Sequence, residues 1–356
     1  MLIFIFQGIN DQQEATKYID QAKSFITGSG NFTWSNLFYA GYTGLHVLLS
    51  LAGLPPKAMY AVQLLLSALS VYYFTKILCI WITSRLTIIF SAILYSTCFI
   101  IHQWVSYLWT DYVFAILVVI SIYYLLVQER GRTNKIIFWF LLIVFPFFRP
   151  VGFLFAIVSC LYWLFTSPRK HMIKILISVI YVSLIGLLVH KSINESPRFF
   201  YPYHNSEANV ICGYPSNLLQ YQEVPYQEGM SIFSYFWKNP GMATRLFLYR
   251  FFKVFSMTRP YFSKIHNLAL TMTTLIYYIP AVVGLIKIIS RREREKYFLF
   301  AGCLVFSIPS IVFCVDWSGR FSMPVFCFIL LLAGIGADHI IGKLKHKRTN
   351  TLSNVN

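Results

Sequence analysis

Residues Trp109–Arg132 read WTDYVFAILVVISIYYLLVQERGR, with no charged side chain between Asp111 and Glu129. A run of that length and polarity is one membrane crossing, because about 20 apolar residues cover the hydrocarbon core of a bilayer. An acid stands at one mouth of the run, and Arg130, Arg132 and then Lys135 stand at the other. The pattern recurs along the chain. Spans are predicted at Lys57–Lys76, Leu86–Gln103, Asp111–Val127, Ile136–Phe148, Val151–Phe165, Ile173–His190, Leu268–Ile289, Tyr297–Val315 and Phe321–Ile341, about nine in all. The two short ones on either side of Arg149-Pro150 read as a hairpin with its tip at the membrane surface.

Composition agrees with this reading. Of 356 residues, 57% are hydrophobic and 12% charged, against roughly 25% charged in a soluble globular protein. So few charges cannot cover two water-soluble domains, and so apolar a chain is not disordered. Only helices and closed barrels satisfy their backbone groups in lipid, and no segment alternates as a barrel strand does. The predicted fold is therefore all-α, a polytopic transmembrane helical bundle forming a single domain over residues 1–356, with no soluble domain.

The net charge of +17 comes from 30 Lys and Arg against 13 Asp and Glu. The basic residues are not gathered on one soluble face, as nucleic-acid binding would require. They fall in short clusters between spans: Lys76/Arg85, Arg130/Arg132/Lys135, Arg169/Lys170/Lys174, Lys287–Lys296 and Lys343–Arg348. Such an excess marks the cytoplasmic side. The opposite side carries nine of the 13 acids, the helix mouths at Asp111, Arg149 and Asp316–Arg320, a first outer loop over residues 10–54, and a long outer loop over residues 191–267. Leu37–Leu54 is apolar enough to span, but a span there would turn every basic cluster outward. It is read as a re-entrant or surface-lying helix broken at Pro55-Pro56. Met1–Phe6 reads as the last turns of a clipped first helix, which predicts a truncated or misassigned start.

Candidate chemistry lies on the acid-rich side. Asn10–Gly28 places Ala15, Tyr18, Ile19, Ala22, Phe25 and Ile26 at three- and four-residue intervals, an amphipathic helix. Asn10 or Asp11 with Glu14 resembles a capping box, while Asp11 is also a carboxylate at the bilayer surface. Asp111 opens a span, where the helix dipole favours an anion. Arg149 sits at the hairpin tip, and Asp316 and Arg320 share a short outer turn. In Gly241–Pro260, Arg245, Arg250 and Lys253 interleave with aromatics. That pattern suits interfacial docking or a phosphate cradle. The spans themselves are nearly free of ionisable groups, which argues against an ion-coupled transporter. The seven Cys show no CxxC spacing, and no His/Asp ligand spacing marks a metal site, so no metal or other cofactor is expected.

Four motifs together resemble the GT-C glycosyltransferase superfamily, in its protein O-mannosyltransferase and lipid A aminoarabinose transferase-like branch. They are Asp11…Tyr18…Ala22…Gly28, Thr110-Asp111, Arg149-Pro150-x-Gly152, and Arg320-Phe321…Pro324. The family's Tyr stands four or five residues after its acid, which leaves Asp11 and Glu14 both eligible, and Phe321 stands where the family has Tyr. The resemblance implies transfer of a sugar from a polyprenyl-phosphate donor to a lipid, glycan or protein acceptor on the outer face of a bacterial inner membrane. It implies Asp11, Glu14 and Asp111 as catalytic residues, with Arg149, Arg245, Arg250, Lys253, Asp316 and Arg320 around the substrate phosphate. An O-antigen polymerase or ligase, a lipid-linked-sugar flippase, and an inactive truncated relative are the competing readings.

Overall fold

A computed structural model describes residues 8–12, 14–30, 33–195, 223–225, 230, 232–258, 262–312 and 320–353. Among these residues the chain is helical, with one isolated backbone bridge and no strand. The principal helices are α1 (Glu14–Thr27), α2 (Ala40–Leu51), α3 (Met59–Trp81), α4 (Arg85–Ser96), α5 (Thr110–Val127), α6 (Arg132–Val144), α7 (Leu154–Thr166), α8 (Pro168–Glu195), α9 (Pro240–Phe255), α10 (Lys264–Ser290), α11 (Tyr297–Val312) and α12 (Met323–Ser353).

Six segments are long and apolar enough to cross a membrane: Pro56–Trp81, Arg85–Ser106, Thr110–Arg130, Pro168–Val189, Lys264–Ser290 and Arg320–Leu344. The other three expected spans are α6, α7 and α11, described over 13, 13 and 16 residues, short of the roughly 20 a straight crossing needs. The cause is local. Pro146 and Pro150 close α6 and open the approach to α7 as short 3₁₀ turns, and the residues after Val312 lie outside the described set. Leu65, Ile89, Phe140, Ile173, Leu176 and Ile276 are among many large apolar side chains left exposed around the bundle. So wide an apolar surface is a lipid-facing one, and the protein is an integral membrane protein.

A helix that is apolar all round belongs in the middle of a bundle. Accordingly 78% of the apolar window of α5 is buried, against 11% for α8 at the periphery. Helix α12 is the second central element and packs on α4, α5, α10 and α11. Between apolar helices in lipid, association depends on close approach of backbones rather than on water exclusion. Gly336 on α12 shows this: a Cβ there would lie 1.8 Å from the Pro280 carbonyl oxygen of α10, and one at Gly284 would lie 2.2 Å from the Leu332 carbonyl. Nothing larger than hydrogen fits this crossing.

Two local devices then position the Asp111 end. Asn10 bridges to Tyr107: its N–H donates to Ser106 O (2.9 Å) and its carbonyl accepts from Leu108 N–H (3.1 Å). Gln63 on α3 braces the same loop through Tyr107 O (3.0 Å). The start of α1 is thereby tied to the start of α5. The capping-box expectation differs from what forms. Asn10 Oδ1 accepts from Gln12 N–H in a turn ahead of the helix, and the Glu14 side chain is taken by an arginine, whose charge outcompetes a neutral N–H.

A carboxylate–guanidinium chain as candidate active site

Asp111 occupies the first turn of α5, with Trp109 extended at the cap position. Helix N-termini favour an anion, yet this one is almost wholly buried, so solvation must be replaced by partners. Arg149 pairs with one carboxylate oxygen, and Arg320 Nε donates to the other at 2.6 Å. Arg320 Nη2 meets the same Asp111 oxygen and also pairs with Glu14, 306 positions away in sequence. The result is a continuous chain, Arg149–Asp111–Arg320–Glu14, drawn from four separate segments with two charges of each sign.

Each arginine is aimed by its backbone. A residue preceding proline is pushed out of the helical region, and Arg149 is extended (φ −156°, ψ 144°). Pro150–Phe153 then turns tightly back, with Gly152 N–H donating to Arg149 O at 2.8 Å. A Cβ at Gly152 would lie 2.5 Å from the Phe145 backbone, so the Arg-Pro-x-Gly spacing is a steric requirement of the hairpin. Arg320 opens the 3₁₀ turn Arg320–Ser322 that leads into α12. Its guanidinium lies over the Trp109 ring (4.5 Å), and both Arg149 and Arg320 lie over Phe321, at 5.0 and 5.3 Å. Aromatic faces partly replace the lost hydration of these cations.

The two carboxylates differ in access. The Asp111 side chain is 1% exposed and holds both arginines; the Glu14 side chain is 45% exposed and holds Arg320 alone. Burial raises the Glu14 pKa, but the charge and hydrogen bond of Arg320, with Arg149 and Lys17 behind them, outweigh it and hold the carboxyl below its ordinary value. Glu14 is thus ionised at neutral pH. Tyr18 and Tyr39 line the same corner, their rings 5.5 Å apart, with Lys17 over Tyr39 at 4.7 Å. Burial pushes the Tyr39 phenol up to about 12 and raises that of Tyr18 further. Both phenols are therefore protonated at neutral pH.

Of the residues singled out in the sequence, the structure brings together Glu14, Asp111, Arg149 and Arg320. Asp11 stands aside, 3.6 Å from Lys57 and a third exposed. On α9, which packs against the Arg320 turn, Arg250 is wholly buried and donates to Ile311 O at 3.2 Å. That bond ties α9 to α11. Arg245 is exposed, and Lys253 lies over Tyr249 at 5.6 Å. Asp316 lies outside the described residues. Sequence reading passed over Lys17, Tyr39 and Lys57, and treated Trp109 only as a neighbour of Thr110-Asp111; no spacing signal links any of them to the arginines. Among the described residues no three His, Cys, Asp or Glu side chains gather as metal ligands, and the carboxylates here are already engaged by guanidiniums.

Comparison with models of known protein families, with curated proteins and with solved structures found no match.

Proposed function

We propose that this chain is a glycosyltransferase of the GT-C kind. In this reading it moves a sugar from a polyprenyl-phosphate donor to a lipid, glycan or protein acceptor, with inversion, on the extracytoplasmic side of a bacterial inner membrane. The proposal includes about nine crossings, with α6, α7 and α11 completing the bundle, and the Asp111 end facing outward because the basic clusters gather at the other end. The observation that carries it is the Arg149–Asp111–Arg320–Glu14 chain. Anchoring alone calls for charges in contact with water, whereas here an acid and two arginines from distant segments are taken out of it.

Roles follow from access. Asp111 is the permanent counter-ion that fixes both guanidiniums. Glu14 is the exchangeable one, with a single partner and an open face. A donor phosphate entering the corner competes with Glu14 for Arg320, and the released carboxylate accepts the acceptor's hydroxyl proton. The acceptor oxygen bonds to the anomeric carbon as that carbon's bond to the phosphate oxygen breaks. The electron pair leaves on the lipid phosphate, whose growing charge Arg320 and Arg149 stabilise. Preorganised donors of that kind are worth about 10²–10³ in rate each. On this geometry Glu14 is the proton acceptor and Asp11 is not.

The test uses the full chain in detergent with a polyprenyl-phosphate-linked sugar and a crude envelope-lipid acceptor. The expected result is release of free polyprenyl phosphate with the sugar recovered on the acceptor, lost in Arg320→Lys, which keeps charge but not the two-armed geometry. Turnover that is unchanged in Arg320→Lys, or sugar movement across vesicles without bond breakage, would overturn the transferase reading; the latter outcome favours a flippase.

A further inference from the structure

Glu14 changes partners in the chemistry proposed above, and the next turn of its own helix offers the second one. Glu14 stands in the first turn of α1. Lys17 follows it at i+3, about 60° round the helix, a spacing at which side chains are neighbours. Gln21 continues the same stripe one turn on, and its Oε1 accepts from the Thr43 hydroxyl of α2 at 3.1 Å. The stripe therefore runs along the seam between α1 and α2. At the Glu14 end of that seam the Lys17 ammonium lies 4.7 Å over the ring of Tyr39, a buried residue just ahead of α2. Tyr39 in turn packs on Tyr18, so the cation is held at the corner where Glu14 meets Arg320.

The charged and titratable groups around Glu14 come from every neighbouring element. They are Arg320 ahead of α12, Arg149 at the hairpin tip, Lys17 and Tyr18 on α1, and Tyr39. Asp111 of α5 stands behind Arg320, and Tyr42 and His46 of α2 lie behind Tyr18, both buried. The other acids of this region have cations of their own: Asp20 pairs with Lys23 at 3.8 Å and Asp11 with Lys57 at 3.6 Å. In the resting corner burial raises the Glu14 pKa and Arg320 is the cation that lowers it most. A donor phosphate that takes Arg320 removes that support and sets a second anion beside the carboxylate, and like charges disfavour ionisation. Arg149 is engaged by Asp111. The cation left on the Glu14 side is Lys17, aided by the N-terminal end of the α1 dipole.

We propose that Lys17 is a positioning residue for Glu14: as the donor phosphate displaces the carboxylate from Arg320, the Lys17 ammonium receives it and keeps it ionised toward the acceptor hydroxyl. The role rests on the transferase reading and adds to it the partner that Glu14 takes in the donor complex.

The experiment measures kcat and kcat/KM for the donor from about pH 5 to 9 in the transfer assay above, with the full chain as wild type, Lys17→Met and Lys17→Arg. Met keeps an apolar stem to lie on Tyr39 and removes the charge. Loss of a cation beside a carboxylate raises the carboxylate pKa, so the defect is largest at low pH and shrinks as pH rises. The acid limb of kcat, which reports the donor complex, is expected to move up by about one pH unit in Lys17→Met and to return in Lys17→Arg. The limb of kcat/KM moves less, because Arg320 still holds Glu14 in the free enzyme. An unmoved kcat limb, a fall by the same factor at every pH, or a limb that Lys17→Arg does not restore overturns the role of Lys17 and leaves the transferase reading standing. Absence of transfer by wild type overturns both. If Lys17→Met is not recovered folded, Lys17→Gln is read by the same outcomes.

Discussion

The two ends of α5 lie about 27 Å apart for 18 residues at the usual rise, and they use the same ingredients differently. At one end Asp111 is buried and shared by Arg149 and Arg320; at the other Glu129 stays about half exposed and meets Lys174. Elsewhere at the Arg130 end, Lys296–Glu293 closes within one turn at 2.6 Å. Pairs of the second kind are what membrane topology alone calls for: long basic side chains at the interface with a nearby acid. The first kind is not needed for anchoring. It desolvates charges, which costs unless every partner is in place, and buried charge of that sort marks function more often than stability. The contrast separates, within one helix, pairing that anchoring explains from pairing that it does not.

The sharpest way to break the contrast is Asp111→Asn. It leaves two arginines facing one another in a buried corner, and removing one partner of a buried pair costs about 3–5 kcal/mol. The expected outcome is a marked fall in thermal stability measured in detergent; an unchanged melting temperature would mean the corner is wetter than its burial indicates. Gly336→Leu comes next. The α10–α12 crossing has no room for a side chain, so about 3 kcal/mol of overpacking strain is expected, read as loss of monodisperse protein by size-exclusion chromatography. Phe321→Ala removes the ring under both guanidiniums, at about 1–2 kcal/mol, while Phe321→Tyr keeps that face and should retain stability. At the Arg130 end, Glu129→Gln should change stability by no more than ~1 kcal/mol. An effect there as large as that of Asp111→Asn would erase the distinction between the two ends.

Acidity sharpens the comparison from another side. The folded-state pKa of Glu14 is depressed, so the Glu14–Arg320 pair contributes stability at neutral pH that is lost as pH falls through the folded value. A proton acceptor must be ionised, so the acid limb of kcat/KM, which reports the free enzyme with Glu14 still on Arg320, should lie below the ordinary glutamate range. A limb near pH 6 would point to another group.

Much of the bundle was legible because hydropathy and basic clusters report depth and side directly. Six expected spans correspond to helices that clear the length criterion, and of the apolar positions read on α1, Ala15, Tyr18 and Ala22 are buried while Phe25 and Ile26 are exposed. The lengths of α6 and α7 were less legible, because apolar composition continues through Phe145–Phe148 where Pro146 and Pro150 already end regular helix. At the candidate site the residue types were readable, but their grouping was not. Glu14 and Asp11 look alike in sequence, but beyond the Asn10–Tyr107 bridge one lies against Arg320 and the other beside Lys57. Nothing local in the sequence reveals that Arg250 is buried against Ile311 of α11.

Parallel transfer assays on Glu14→Gln and Asp11→Asn, at matched amounts of protein in the membrane, test the central claim most directly. The account predicts that Glu14→Gln loses about 10²–10⁴ in rate, the usual worth of a positioned acid–base group, while Asp11→Asn stays within a few-fold of wild type. Wild-type-like transfer by Glu14→Gln would contradict it.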